Sequence, residues 1–265
     1  MSLLFCDVRG FTTISEQLGP EELTQLVNRF LTPMTRVILQ HGGTIDKYMG
    51  DCIMAFWNAP LADPDHTRDA CAAALAMEGE LAGVNARLAA DRKEGAAPLP
   101  PLRIGIGLNT GQCCVGNFGS DQRFDYSVIG DEVNLASRLE GQSKTYGVTT
   151  VVGDGTRQRL PRWSFLELDL LRVKGRRQAE RIHALLGDAA AAAMPEAIAL
   201  RDANQAFLAA YRKGDFEAAA GLLSRCRELG PSLETLWGVH STRLATLRNG
   251  PPPEAWDGVH DAATK

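Results

Sequence analysis

The sequence lacks any run approaching about 18 uninterrupted apolar residues, the minimum that a transmembrane helix usually needs. It also lacks an excess of positive charge, since 28 basic and 32 acidic residues give a formal net charge of −4. No segment of the sequence is therefore expected to span a membrane. A protein that binds nucleic acid usually carries a broad basic surface, so we predict no nucleic-acid partner.

The six cysteines include no C-x-x-C pair, and most of them lie within apolar runs. This spacing argues against a zinc site and suits a reduced protein in which the cysteines are small core residues. The hydrophobic fraction of 45% over 265 residues is typical of a globular protein with a real core. One large domain, or a domain with an appendage, is expected from this length.

The strand-like segment LLFCDV begins at residue 3, with almost nothing before it. Natural chains seldom begin inside a core strand. We therefore expect a fragment excised from a longer protein, with Met1 and Ser2 added to it rather than native.

Strand-like and helix-like segments alternate up to Gly187, which predicts an α/β sandwich with a mixed sheet. The segment that begins at Pro20 has apolar residues at three- and four-residue spacing, as an amphipathic helix does. The segment IDKYMGDCIMAFWNAP, from Ile45 to Pro60, predicts two strands joined by a tight turn. We assign residues 1–187 to one domain and residues 188–265 to a separate C-terminal part.

The C-terminal part begins with the alanine-rich segment DAAAAAMPEA and has a helical pattern to about Leu247. The segment from Gly214 to Pro231 is similar to the second half of a tetratricopeptide repeat. Such a repeat needs neighbours, so this tail is expected to pack on the main domain, on a partner or on a second copy. A plain helical extension explains the pattern equally well.

Two aspartates follow or precede apolar strands at positions where they could meet. Asp7 ends the first strand, and Asp51 follows the glycine of the predicted turn. Each has an ordinary explanation, because aspartate also caps helices and occupies turns. If the two strands are neighbours, however, the carboxylates repel each other unless a cation lies between them. A divalent metal with a polyphosphate is the economical explanation.

Asn134 and Arg138 lie four residues apart on a predicted helix and therefore share one face. An amide beside a guanidinium suits contacts with a ribose and a phosphate. The alternative is a solvated helix face, which is the usual environment of such pairs.

Four segments together resemble the catalytic domain of class III nucleotide cyclases: FCDVRGFTTISE, DKYMGDCIMAFWNAP, RIGIGLNTG and YSVIGDEVNLASRLE. They occur in the family's order and cover about residues 3–186. The resemblance is strongest to bacterial, sensor-linked adenylate cyclases. It implies a ferredoxin-like α/β core with a mixed, mostly antiparallel sheet, followed here by the helical tail. It also implies a homodimer whose active sites are formed by both subunits.

The resemblance assigns roles to individual residues of the two aspartate segments. Asp7 and Asp51 match the family's metal-binding aspartates, and the Val8 carbonyl matches a backbone metal ligand. The implied cofactors are two divalent cations, Mg²⁺ or Mn²⁺. The loop expected to hold the phosphates comprises Gly10, Phe11 and Thr12.

Other matched residues would select the base and assist the reaction. Lys47 and Ser127 match the two base-selecting positions, and Asn134 matches the amide that orients the ribose. Arg138 and Lys174 match the groups that stabilise the transition state and the terminal phosphates. In a dimer, Lys47 would serve the active site opposite to the one that Asp51 serves.

The implied reaction converts ATP to cyclic AMP and pyrophosphate. Guanylate cyclases typically have glutamate and cysteine at the two selecting positions, so Lys47 favours adenine, whereas Ser127 departs from the aspartate or threonine of many adenylate cyclases. A guanylate cyclase is thus the first alternative. A non-catalytic dimerisation and signalling module is the second, disfavoured because Asp7, Asp51 and Arg138 are all present. The GG-D/E-EF signature of diguanylate cyclases is absent.

By analogy with related receptors, a membrane-bound sensor region is expected before this chain. The chain itself would be the cytoplasmic domain of a membrane-anchored receptor.

Overall fold

The computed structural model describes residues 1–91, 99–172, 178–249 and 256–261. Two units are distinguished, residues 1–140 and residues 141–265. This division differs from the domain boundary predicted after residue 187. The predicted boundary of the catalytic domain stays a prediction.

The first unit contains a four-stranded antiparallel sheet in the order β4-β1-β3-β2. Its strands are β1 (Ser2–Val8), β2 (Thr44–Met49), β3 (Cys52–Trp57) and β4 (Ile104–Thr110). Almost every residue of β1, β3 and β4 is buried, which explains why β1 and β3 carry apolar runs without strict alternation. The strand–turn–strand structure predicted for residues 45–60 is confirmed.

Three helices of the first unit connect these strands: α1 (Phe11–Ser15), α2 (Pro20–Gln40) and α3 (His66–Ala90). The predicted amphipathic helix is α2, which begins at Pro20 and buries Leu26, Phe30 and Met34 on one face. In the described residues of the whole chain, no helix is both long enough and apolar enough to cross a membrane.

A hairpin and the start of a helix complete the first unit. The hairpin consists of β5 (Cys114–Ser120) and β6 (Arg123–Ile129), and α4 runs from Asp131 to Tyr146. One hydrophobic cluster joins β1, β3, β6 and α4; its buried members are Leu3, Phe5, Met54, Phe56, Ala59, Val128, Val133 and Ala136.

Gly107 of β4 explains how closely α4 approaches the sheet. A Cβ atom at this position would overlap the carbonyl oxygen of Ala136 and the amide nitrogen of Glu140. Helix α4 therefore packs directly against the strand backbone, which fixes the position of the polar residues that this helix carries.

The second unit has its own strands: β7 (Thr150–Gly153), β8 (Ser164–Arg172), β9 (Glu180–Gly187) and β10 (His260–Asp261). Their order is β10-β8-β9-β7. The pairs β8–β9 and β7–β9 are antiparallel, whereas β10 lies parallel to β8. The mixed, mostly antiparallel sheet expected from the sequence is thus confirmed. The two-residue strand β10 was not among the elements predicted from the sequence.

Helices follow the strands of the second unit. They are α5 (Asp154–Arg159), located between β7 and β8, then α6 (Ala189–Ala192), α7 (Pro195–Arg212), α8 (Phe216–Leu229) and α9 (Glu234–Asn249). Helix α7 packs on β8 and on α8, and α8 packs on α9. Phe207 and Trp237 are fully buried between these elements. The tail helices therefore pack on β8, which lies within residues 1–187, as expected if the tail packs on the main domain.

Polar side chains also attach the tail to β8. Asn204 of α7 donates to the Glu167 carbonyl at 2.8 Å, and His240 of α9 donates through Nε2 to the Leu168 carbonyl at 3.0 Å. The buried Asp169 carboxylate accepts from the Tyr146 hydroxyl at 2.6 Å and from the Arg243 guanidinium. A buried carboxylate requires such partners, so these contacts stabilise one defined position of α9.

The burial of His240 predicts that the second unit loses stability in mild acid. Burial lowers the pKa of His240 from 6.5 to about 4, so the folded state holds the neutral ring. The unfolded state takes up a proton below pH 6.5, so stability is full above that pH and falls as the pH approaches 4. Between pH 7 and pH 5, this histidine should cost about 2 kcal/mol of unfolding free energy.

Urea denaturation of the whole chain at both pH values measures this effect. The variant His240→Gln should show a decline about 2 kcal/mol smaller than that of the unmodified protein. Equal declines for the two proteins would contradict a neutral, buried His240.

Candidate active site

Asp7 and Asp51 meet at a single backbone amide. Strand β1 lies beside β3 with Cys6 opposite Ile53, so the end of β1 is next to the turn that precedes β3. The Val8 N–H donates to Asp7 Oδ1 at 3.0 Å and to Asp51 Oδ2 at 3.1 Å. The two aspartates that the sequence analysis selected, and the residue expected to supply a backbone ligand, are therefore neighbours.

The electrostatics of this pair disfavour two bare negative charges. The pKa of Asp51 is raised to about 7, first because the carboxyl is half-buried, and then because Asp7 hydrogen-bonds to it and adds a second charge. A cation between the two carboxylates would offset this repulsion and favour the ionised form of Asp51.

The donors present at this site fit a hard divalent cation. The two carboxylates are oxygen ligands of the kind that Mg²⁺ prefers, and the Val8 carbonyl remains the predicted third ligand. Within the described ranges, no group of three or more histidine, cysteine or acidic side chains could hold a metal by itself. Mg²⁺ sites usually combine one or two carboxylates with water and substrate phosphates.

The residues expected to hold the phosphates directly follow the pair. Gly10 has a φ of 70°, a left-handed conformation that glycine adopts without strain. It caps α1, whose first residues are Phe11 and Thr12. The first amides of a helix lack partners within the helix and suit an anion, although α1 has only five residues. The role of this loop stays a prediction.

The two predicted base-selecting residues lie on neighbouring strands of the first unit. Lys47 in β2 pairs with Met54 of β3, and its side chain is 45% exposed. Ser127 in β6 is buried and pairs with Gly116 of β5. Strands β2 and β6 contact each other, so both residues belong to the same part of this unit.

Asn134 and Arg138 both lie on α4, as predicted, but their environments differ. Asn134 is exposed, whereas Arg138 is half-buried. The Nη1 atom of Arg138 is buried and has no hydrogen-bond partner among the residues that the structure describes. Burying a guanidinium nitrogen without a hydrogen-bond partner costs free energy. Such a group is expected where the partner is a bound ligand or a second subunit.

The candidate residues form separate groups within one chain. Across the described parts of the sequence, no hydrogen bond or ion pair connects Lys47, Ser127, Asn134 or Arg138 to the aspartate pair. The predicted phosphate-binding Lys174 lies outside the described residues. The individual roles of all these residues remain predictions.

Two acidic residues near the site were not found by sequence reasoning. Glu140 on α4 has a pKa raised to about 7 by burial and by the charge of Asp7, with Arg9 acting in the opposite direction. Asp46 lies beside Lys47, with its Oδ2 atom 3.5 Å from the lysine Nζ. Both residues occur inside the segments that resemble cyclases, but only the packing reveals their proximity to the site.

A sequence model of the family described as "Adenylate and Guanylate cyclase catalytic domain" matches residues 1–187. The chain belongs to this family. Adenylate cyclase 1 of Rhizobium meliloti (strain 1021) is 39% identical over 189 residues, which are 71% of this chain and 27% of that protein. The chain therefore spans about a quarter of the length of this curated relative.

Two solved structures are similar to this cyclase domain. The adenylyl cyclase CyaB from P. aeruginosa has a TM-score of 0.62 and 34% identity, covering 71% of this chain and 93% of that chain. The guanylyl cyclase Cya2 has a TM-score of 0.64 and 35% identity, covering 71% and 91%. The predicted α/β fold and the predicted resemblance to class III cyclases are thus confirmed. Because one of these structures is an adenylyl cyclase and the other a guanylyl cyclase, similarity does not decide between ATP and GTP.

Proposed function

We propose that this cyclase domain converts ATP to 3′,5′-cyclic AMP and pyrophosphate. The observation on which the choice of ATP rests is Lys47, a side chain with only hydrogen-bond donors at the position that matches the base-selecting lysine. Similarity alone does not decide the substrate, because relatives named adenylate cyclase and guanylyl cyclase match equally well.

The chemistry of the base explains this choice. The N1 atom of adenine accepts a hydrogen bond and its amino group donates one, whereas guanine has an N–H and a carbonyl at the same edge. Lys47 can donate to N1 of adenine, and the Ser127 hydroxyl can accept from the amino group. With guanine, the lysine would face another donor, although serine could turn its hydroxyl to donate.

The aspartate pair supports the use of two divalent cations, Mg²⁺ or Mn²⁺. Asp7, Asp51 and the Val8 carbonyl would hold them together with the substrate phosphates. When bound, divalent cations supply Lewis-acid activation of the ribose 3′-hydroxyl and neutralise charge on the phosphates.

The other residues of the site would orient the nucleotide and stabilise developing charge. Asn134 would hold the ribose so that its 3′-oxygen is in line with the α-phosphorus. Arg138 would donate to the α-phosphoryl oxygens as negative charge accumulates there. Lys174 would serve the departing pyrophosphate in the same way. We assign the proton of the ribose 3′-hydroxyl to water, because the carboxylates of the aspartate pair would be occupied in holding the cations.

An exposed apolar surface supports the homodimer. Six large hydrophobic residues of the first unit are exposed on neighbouring strands: Tyr48, Met49, Val115, Phe124, Tyr126 and Ile129. Exposed apolar residues grouped in this way are typical of protein–protein interfaces. A second copy of the chain would cover them and would bring its Lys47 and Arg138 to the aspartate pair of the first copy.

The length of the curated relative supports a larger architecture. Because this chain spans 27% of the Rhizobium enzyme, we assign it the role of output domain in a longer signalling protein. In this proposal a membrane-bound sensor region precedes the chain, which would lie on the cytoplasmic side.

The preference for ATP is tested by comparing the two nucleotides. Each unpaired polar group in the mismatched complex costs roughly 1–3 kcal/mol, so kcat/KM should favour ATP by about tenfold to several thousandfold. Because serine can serve either base, we expect a value near the lower limit. The double variant Lys47→Glu with Ser127→Cys should lose ATP turnover and gain GTP turnover.

Lys213→Glu is the matched control, since it makes the same change of charge on an exposed residue of the tail. This control should keep the nucleotide preference of the unmodified protein. A preference for GTP in the unmodified protein would overturn the proposal. An unchanged ATP/GTP ratio in Lys47→Glu would also overturn it.

A further inference from the structure

Asp46 lies at an irregularity in strand β2. The pairing of β2 with β3 runs from Ile45 opposite Ala55 directly to Lys47 opposite Met54, which leaves Asp46 as the extra residue of a β-bulge. A bulge interrupts the alternation of side chains between the two faces and can redirect one of them. This explains how two consecutive side chains bring a carboxylate oxygen and an ammonium nitrogen to 3.5 Å.

The Asp46 carboxylate is buried, unlike the lysine beside it. Its side chain is 1% exposed, and the Lys47 side chain is 45% exposed. Neither carboxylate oxygen has a hydrogen-bond partner within the described residues. A buried carboxylate needs a cation or hydrogen-bond donors nearby, and the Lys47 ammonium lies 3.5 Å from its Oδ2 atom.

We infer that Asp46 is a positioning residue that directs the Lys47 ammonium toward the base of the nucleotide. This inference rests on the proposed function, in which Lys47 donates to N1 of adenine. An ammonium has three N–H groups on a flexible four-carbon stem. Attraction to a fixed, buried carboxylate holds the nitrogen in place, and the remaining N–H groups then point away from Asp46.

The inference explains a feature that packing alone does not. A buried aspartate without hydrogen bonds is a poor structural element, because an apolar residue of similar volume usually serves equally well. A bulge costs ladder hydrogen bonds and is often found next to functional sites, where it redirects a side chain. The buried Asp46 carboxylate and the bulge in β2 both have an explanation if a fixed Lys47 is needed to discriminate between adenine and guanine.

The test measures kcat/KM for ATP and for GTP with Asp46→Asn, Asp46→Ala, Lys47→Met and the double variant Asp46→Asn with Lys47→Met. Without the carboxylate, the lysine can turn away from the base, so both its bond to adenine and its clash with guanine weaken. Each Asp46 variant should lower the ATP/GTP ratio by about three- to thirtyfold. The double variant should match Lys47→Met alone, because Asp46 acts through Lys47.

Asp91→Asn is the control, since it removes an exposed aspartate paired with Arg29 at the end of α3. It should leave the ratio unchanged. A purely structural Asp46 would alter stability but not the ratio, so an unchanged ratio in folded Asp46 variants overturns the inference. If Lys47→Met also leaves the ratio unchanged, the proposed function fails as well. A change with Lys47→Met but none with the Asp46 variants refutes the role of Asp46 alone.

A stability measurement covers the case in which single Asp46 variants fold poorly. Lys47→Met leaves the buried carboxylate without its cation, so its urea midpoint should fall. Adding Asp46→Asn to Lys47→Met should raise that midpoint again, since the uncompensated charge is removed. A midpoint that falls further in the double variant would contradict the pairing of these two side chains.

Discussion

Replacing either Asp7 or Asp51 by alanine should lower turnover at least about a thousandfold, because the proposed reaction uses cations that these two carboxylates would hold. The fold should survive each change. Burial first, and then the neighbouring Asp7, raise the pKa of Asp51, so neither carboxylate is expected to stabilise the metal-free fold as an ion. Cyclic nucleotide formation with saturating Mn²⁺ measures the first effect, and urea denaturation without metal measures the second.

Asp91→Ala provides the control, because it removes an exposed carboxylate of the same unit. This variant should retain full turnover. Full activity of Asp7→Ala or Asp51→Ala, with metal still required, would contradict the assignment of the metal site. If both variants lose activity because they no longer fold, the carboxylates have a structural role. That result would also contradict the assignment of the metal site.

Mixing two inactive variants should restore activity if both subunits contribute to each site. Asp51→Ala lacks a metal ligand, and Arg138→Ala lacks the guanidinium, so each homodimer should be inactive. In a mixed dimer, one site would combine the intact aspartate of one chain with the intact arginine of the other. After full exchange of an equal mixture, about a quarter of the unmodified specific activity should return.

The control for this experiment is a mixture of Asp7→Ala with Asp51→Ala. Both residues lie at the same Val8 amide of one chain, so every site of the mixed dimer would lack one aspartate. No activity should return in this mixture. If the Asp51→Ala and Arg138→Ala pair stays inactive despite demonstrated subunit exchange, the sites are not shared.

The aspartate pair could be predicted from sequence because its geometry depends on regular structure. Asp7 lies at the end of the apolar strand β1, and Asp51 lies just before the apolar strand β3. The two aspartates become neighbours because β1 pairs with β3. The helical face with Asn134 and Arg138 follows from periodicity in the same way. The positions of all four residues follow from strand pairing and helix periodicity, which can be recognised in the sequence. The structure therefore places them on the elements that were predicted.

Other features depended on irregular or long-range structure. The side chains of Asp46 and Lys47 approach each other because β2 contains a bulge. The pattern of apolar and polar residues in β2 gives no sign of this bulge. Glu140 approaches Asp7 because Gly107 lets α4 pack closely on β4, a contact between residues far apart in sequence. The tail helices were predicted by periodicity, but their attachment to β8 through Asn204 and His240 required the tertiary structure.

Incubation of the purified chain with Mn²⁺ and ATP, or with Mn²⁺ and GTP, tests the central claim most directly. Mass spectrometry of the products identifies the cyclic nucleotide, and a pyrophosphate assay counts the leaving group. We predict 3′,5′-cyclic AMP and pyrophosphate in equal amounts from ATP, with a slower reaction from GTP. Faster cyclic GMP formation would contradict the assignment of Lys47, and the absence of any cyclic product from a dimeric, metal-loaded chain would contradict the proposed catalytic function.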